Sequence, residues 1–158
     1  MQYNINNQGN IYLGDTALGD RLATQAEIDA HDLAQARAAK IAEIRALANT
    51  AAEANFIVNN SLGTGINYIY PNKYDRDQYN LNGQCSRALR NSAGSFYFNC
   101  LDPGINGVWA RRLHTAAQIL AVGDAAGAQV ETATLRYEAR YNAIMAATTV
   151  AAVNVVVW

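Results

Sequence analysis

Apolar and polar positions alternate loosely over the first fourteen residues. Tyr3 and Ile5 precede a polar cluster at Asn6, Asn7, Gln8 and Gly9, and Ile11 and Leu13 follow it. A period of two broken by turn residues predicts a short hairpin or arm over residues 1–22. So small an element buries no core alone and must fold back or dock, which makes Tyr3, Ile5, Ile11 and Leu13 the candidate attachment residues. The period then lengthens. Thr24-Gln-Ala-Glu27 fits the S/T-x-x-E capping box, in which hydroxyl and carboxylate satisfy opposite backbone amides. No Gly or Pro interrupts the chain from there to Ala54, so a long helix is expected. Ile28, Leu33, Ile41, Ile44 and Leu47 form its stripe with Ala34, Ala38, Ala48 and Ala51. Ala34, Ile41 and Ala48 are seven apart, as are Ala30, Arg37, Ile44 and Ala51. Two readings stay open for this face: packing within its own domain, or a self-association seam at Ala34, Ile41, Ile44 and Ala48 that Arg37 interrupts.

Residues 56 to 72 read as strand, turn and strand: Phe56 to Val58, a loop of Asn, Ser and Gly, then Ile66 to Tyr70 before Pro71-Asn72. Asp75 or Asp77 is expected to cap a helix running to about Arg90, with Tyr79, Leu81, Cys85, Ala88 and Leu89 available for burial. A second hairpin follows, with Phe96 to Cys100 and Val108 to Leu113 either side of a turn holding Pro103, Gly104 and Gly107. Thr115 caps a final helix to about Ala147 with its stripe at Ile119, Val122, Ala126, Val130, Ala133, Tyr137, Tyr141 and Ile144. Gly123 and Gly127, one turn apart, predict a kink or a close helix crossing. The apolar tail from Val150 to Trp158 is expected to pack down. The fold class that follows is α+β: a long N-terminal helix and C-terminal helices packed together with two small antiparallel hairpins. The arm at 1–22 precedes a single helix-rich domain over 23–158.

Composition narrows the function classes. The 158 residues include 30 alanines and 17 asparagines, and only 16% are charged against roughly 25% in an ordinary soluble domain. Amides therefore carry much of the polar surface. Twelve basic and thirteen acidic residues leave a net charge of -1, without the basic excess that nucleic-acid binding needs. No apolar run reaches the roughly 18 residues of a membrane span. The N-terminus lacks a positive n-region followed by an apolar h-region, so production in a cytosol is expected. There, Cys85 and Cys100 read as free thiols, and the sequon at Asn59 as chance.

Few constellations promise chemistry. Asp75-Arg-Asp77-Gln-Tyr79-Asn80 departs from a calcium loop at the third ligand and at the required glycine. His31 and His114 have no partner at zinc-ligand spacing, and His114 is expected to make a local hydrogen bond. Gly63-Thr-Gly65 lacks the third glycine of a dinucleotide loop, and neither a G-x-S-x-G elbow nor a carboxylate pair is present. Arg111-Arg112 beside Trp109 suits a phosphate or a base, yet also an ordinary charged strand edge. Tyr68, Tyr70 and Trp109 are the candidate surface-binding aromatics, for protein contacts or sugar stacking, with half-buried core tyrosines as the competing reading. No catalytic, cofactor or metal site is expected.

Several stretches together resemble a known family. Ala23-Thr24-Gln25-Ala26-Glu27-Ile28 and the following Ala-Arg-Ala-Ala-Lys-Ile are similar to the lead-in helix of bacteriophage tail-fibre and tail-fibre-assembly proteins. Asp75 to Gly83 loosely matches their D-x-x-x-x-N-x-x-G pattern. Cys100-Leu-Asp102, Val108-Trp109 and His114-Thr115-Ala-Ala-Gln-Ile119 resemble a phage domain of unknown function found there, in which a Trp-bearing hairpin runs into a Thr-Ala-Ala helix. The likeness spans about residues 23–158. It implies a virion structural protein of the tail, fibre- or baseplate-associated and made in the host bacterial cytoplasm, acting by protein binding. The implied partners are other phage tail proteins, a second and third copy of the chain, and a host surface receptor. A tail-fibre assembly chaperone is the alternative, although only about twenty residues precede the first helix here. A glycan-active enzyme would need a carboxylate pair that the sequence does not supply.

Overall fold

A computed structural model describes residues 2–104 and 107–158; Ile105 and Asn106, at the tip of the expected second hairpin, lie outside the described residues. The chain divides into two compact units, one formed by Met1–Ala46 with Tyr137–Trp158 and the other by Leu47–Arg136. The residues of the expected arm fall in the first unit, together with most of the first helix and the C-terminal tail.

In the first unit, β1 (Gln2–Ile5) and β2 (Ile11–Gly14) form the expected hairpin, with Tyr3 opposite Leu13 and Ile5 opposite Ile11. The Asn6 side chain shapes its turn by accepting hydrogen bonds from the Gln8 and Asn10 amides. Gly9 there has φ +83°, a conformation that favours glycine. A third strand, β3 (Arg21–Leu22), pairs with β1 on its other side and gives the order β2-β1-β3. Two residues show no periodicity, so nothing in the pattern announced it. The loop between β2 and β3 folds back over Asn4, which is fully buried and donates to the Gly14 carbonyl while accepting from the Thr16 hydroxyl.

Helix α1 (Gln25–Ala52) opens with the expected box: the Thr24 amide donates to Glu27 at 2.9 Å, and the Glu27 amide to the Thr24 hydroxyl at 3.4 Å. Arg21 also clamps Glu27, and this ion pair together with the Thr24 bonds holds the carboxyl down to about 2. Further along, Ile44 is wholly buried with Ile144 and Val153, and Leu33, Ile41 and Trp158 pack around them. This corrects the self-association reading of α1. Ile41 and Ile44 serve the chain's own core, Ala48 is buried too, and of the four only Ala34 is exposed. Arg37, which interrupts the seam, donates to the Met145 and Ala147 carbonyls at the end of α3 (Ala116–Ala146), where unpaired carbonyls attract a cation. The tail packs down in part, through α4 (Val150–Asn154), whose first turn is capped by the Thr149 hydroxyl: Val153 is buried and Val156 and Trp158 pack beside it, whereas Val150, Val155 and Val157 are exposed.

The second unit holds β4 (Phe56–Val58), β5 (Tyr68–Tyr70), β6 (Ser95–Leu101) and β7 (Trp109–Thr115), all antiparallel. The two expected hairpins are not separate. Ile69 pairs with Leu101 and joins them into one sheet of order β4-β5-β6-β7. The strict alternation of β6 sends Phe96, Phe98 and Cys100 inward, where they meet Tyr68 and Tyr70 from β5, Leu81 and Ala88 from the next helix, and Ile119 and Val122 from α3. Full burial of each such aliphatic side chain contributes about 1.5–3 kcal/mol.

Between β5 and β6 the chain makes a π-helical turn, Tyr74–Gln78, and continues as α2 (Tyr79–Arg90), in which Leu81 and Ala88 are buried and Cys85 half-buried as expected, whereas Tyr79 and Leu89 are exposed because they lie on the other side of the helix. The expected cap at Asp75 or Asp77 is corrected: Lys73 occupies the cap position, and Asp77 lies inside the turn, where its carboxylate reaches back to the Lys73 amide at 3.2 Å. Helix α3 (Ala116–Ala146) starts at Thr115, whose hydroxyl accepts from the Gln118 amide while its own amide donates to the Gln118 side chain. Gly123 marks the close crossing, because a Cβ there would lie 2.6 Å from Cys85 Sγ. The fold is α+β.

Candidate functional site

The outer face of the four-stranded sheet follows from the register. Ile57 stands opposite Ile69, Ile69 opposite Leu101, and Leu101 opposite Trp109, so one apolar row crosses all four strands. Ile57 is 61% exposed and Trp109 43%. The next pairs along β6 and β7 are Asn99 with Arg111 and Tyr97 with Leu113, again on this outer face. The alternation thus splits the two adjacent arginines. Arg111 lies outward with its guanidinium 5.4 Å from the Tyr97 ring centre, and Arg112 lies inward, 5.1 Å from that of Tyr68.

Strand β5 pairs with β6 only at Leu101, and helix α2 packs beside the rest of β6. Two hollows of about 320 and 430 Å³ open along this junction and share Asp77, Asn80 and Asn99. Gln84, Tyr97 and Arg111 complete the first; Asn55, Pro71, Lys73, Arg76 and Trp109 complete the second. The π-helical turn places Asp77 here. Its carboxylate is nearly buried, held by the Lys73 amide and by Arg76 at 3.2 Å. Arg111 and Lys73 have no carboxylate within ion-pair distance among the described residues, so three cationic side chains and one carboxylate line the groove, with Glu53 beside Lys73 in an adjoining hollow. Of these residues, the sequence singled out Trp109 and Arg111 for binding. Asn80 and Asn99 were invisible to it because their juxtaposition depends on α2 lying against β6.

Beneath the sheet runs a buried polar chain. Ser61 Oγ lies 2.6 Å from the Tyr70 hydroxyl, which lies 3.0 Å from His114 Nε2; His114 Nδ1 lies 3.0 Å from the Arg112 carbonyl. A carbonyl only accepts, so Nδ1 carries the proton, Nε2 accepts from Tyr70, and Ser61 donates to Tyr70. Burial pushes the His114 pKa below its ordinary value and that of the Tyr70 phenol upward. His114 makes local hydrogen bonds, as expected. The surface assignment of Tyr68 and Tyr70 is corrected: both are buried, and Tyr70 stacks between Phe56 and Phe98 with ring centres 5.7 and 6.4 Å away. With Ser61, Tyr70 and His114 closed off from solvent, the chain is an element of the core. Burial also raises the pKa of both cysteine thiols, and both cysteines are free. Among the described residues no group of three or more His, Cys, Asp or Glu could hold a metal ion, and no helix is long and apolar enough to cross a membrane.

The arm residues divide by burial. Ile5 is buried against the start of α1, Tyr3 and Ile11 are half-buried, and Leu13 is exposed. Leu18 and Leu22, which the sequence did not single out, are exposed as well.

No curated protein and no solved structure matches the chain. A family profile described as a domain of unknown function, DUF4376, matches residues 35–157. That segment takes in the rest of α1, the four-stranded sheet, the groove and the C-terminal helices, and leaves out the three-stranded arm. Since the match covers most of its length, the chain belongs to the DUF4376 family.

Proposed function

We propose that the chain is a virion structural protein of a bacteriophage tail, fibre- or baseplate-associated, that acts by binding other tail proteins and is not an enzyme. The observation that carries this reading is the arm. It is folded into a three-stranded sheet, yet Leu13, Leu18 and Leu22 stay uncovered. The register sets Leu13 and Leu22 on opposite faces of this sheet, and large apolar side chains left exposed on so small an element suit coverage by another protein. The resemblance of about residues 23–158 to phage tail-fibre and tail-fibre-assembly proteins supplies the setting, and fibres of that kind make a homotrimer the favoured assembly. Such a trimer would not use Ile44, which is already buried, or Ile41, which is half-buried beside it.

Replacing Leu13, Leu18 and Leu22 together by Ser tests the reading. The variant should stay folded and fail to enter tails when it is the only copy supplied to a phage that encodes the protein. Normal incorporation would refute the role of the arm. Light scattering on the purified wild type should give the mass of an oligomer, and a monomer would refute the trimer.

A further inference from the structure

We infer that the groove between α2 and β6, bounded by Asp77, Asn80, Asn99, Arg111 and Trp109, binds an acidic oligosaccharide. Three features of the groove select that ligand class. Trp109 offers a half-exposed indole at one end, and the flat apolar face of a pyranose ring stacks on such a surface while its hydroxyls stay wet. The walls are unusually rich in amides: Asn80 and Asn99 are common to both hollows, with Gln84 and Asn55 at the two ends. A side-chain amide presents a donor and an acceptor side by side, which matches neighbouring sugar hydroxyls, each of which both donates and accepts. The charge then chooses among sugars. Asp77 is already engaged by Arg76 and the Lys73 amide, whereas the Arg111 guanidinium and the Lys73 ammonium have no carboxylate partner among the described residues. A planar guanidinium pairs two-pronged with a carboxylate, so a uronate or sialate residue complements the site better than a neutral hexose. Two adjoining hollows sharing a middle wall accommodate more than one sugar ring.

The inference goes beyond the tail assignment and is tested apart from it, on the purified full-length chain. The probe is an array of immobilised oligosaccharides bearing uronate or sialate, printed beside neutral counterparts. The wild type should be retained on acidic spots, and less so as salt is raised. Trp109→Ala and Arg111→Gln should each weaken retention by about tenfold or more. Leu135→Ser, on an exposed part of α3 away from the groove, should bind as the wild type does. Circular dichroism checks that each variant is folded, and Asn80→Ala, at an exposed position of α2, stands in for any that is not. Absence of retention on every acidic spot, retention confined to neutral spots, or unchanged binding by folded Trp109→Ala and Arg111→Gln would each overturn the inference.

Discussion

Tyr70→Phe isolates the buried polar chain from the packing around it. The substitution keeps the ring, and with it the stacks on Phe56 and Phe98, so neither a cavity nor a lost apolar surface enters the result. What disappears is one hydroxyl that accepts from Ser61 and donates to His114, and both partners lie in the core. Each buried group left without a partner costs about 1–3 kcal/mol, so with two such groups the variant should lose about 2–6 kcal/mol. That is a large share of the roughly 5–15 kcal/mol of a typical domain. Urea unfolding should show a lower midpoint at an unchanged slope. In a Ser61→Ala background one orphan fewer is created, and the cost of Tyr70→Phe should fall by about 1 kcal/mol. A loss below about 0.5 kcal/mol in the wild-type background would refute the reasoning, because it would mean the hydroxyl is not needed to satisfy either partner.

Three further outcomes are expected. Because folding lowers the His114 pKa below 6.5, the unfolded chain binds more protons in the window beneath that value; stability should be full above about 6.5 and fall as pH drops toward 5. His114→Gln should flatten that segment in urea unfolding at stepped pH. Gly123→Ala sets a Cβ against Cys85 Sγ, and overpacking of about 1–3 kcal/mol should outweigh the helix-propensity gain of about 1 kcal/mol. In a Cys85→Ala background the same change should become stabilising, as thermal unfolding of the four variants would read. Arg37→Met removes two charge-assisted hydrogen bonds to the end of α3, at a cost of about 1.5–3 kcal/mol each. Hydrogen exchange should quicken over residues 147–158.

Local signals made the frame of the fold legible in the sequence. Thr24 with Glu27, and Thr115 with Gln118, announce their helices because a capping box is complete within four residues. The alternation of β6 announces its buried face in the same way. Pairings between distant segments left no such trace. The bridge from Ile69 to Leu101 that fuses two hairpins, and the two-residue β3, depend on which segments meet. Asp77 misleads for a related reason: a carboxylate four residues after Lys73 reaches back to its amide, whereas sequence spacing suggests a cap. Tyr68 and Tyr70 look like binding aromatics by composition, yet in β5 both face inward, and it is the residue between them, Ile69, that joins the outer row. Within the groove only Trp109 and Arg111 were legible, since Asn80 and Asn99 gain their meaning from helix and strand lying side by side.

The proposed role requires the protein to be built into a phage particle and to work there by binding. Quantitative peptide mass spectrometry on purified particles of a phage encoding it tests that most directly. Its peptides should be found at a copy number that is a multiple of three per tail. A protein abundant in infected cells but missing from particles would contradict it, and would favour an assembly chaperone.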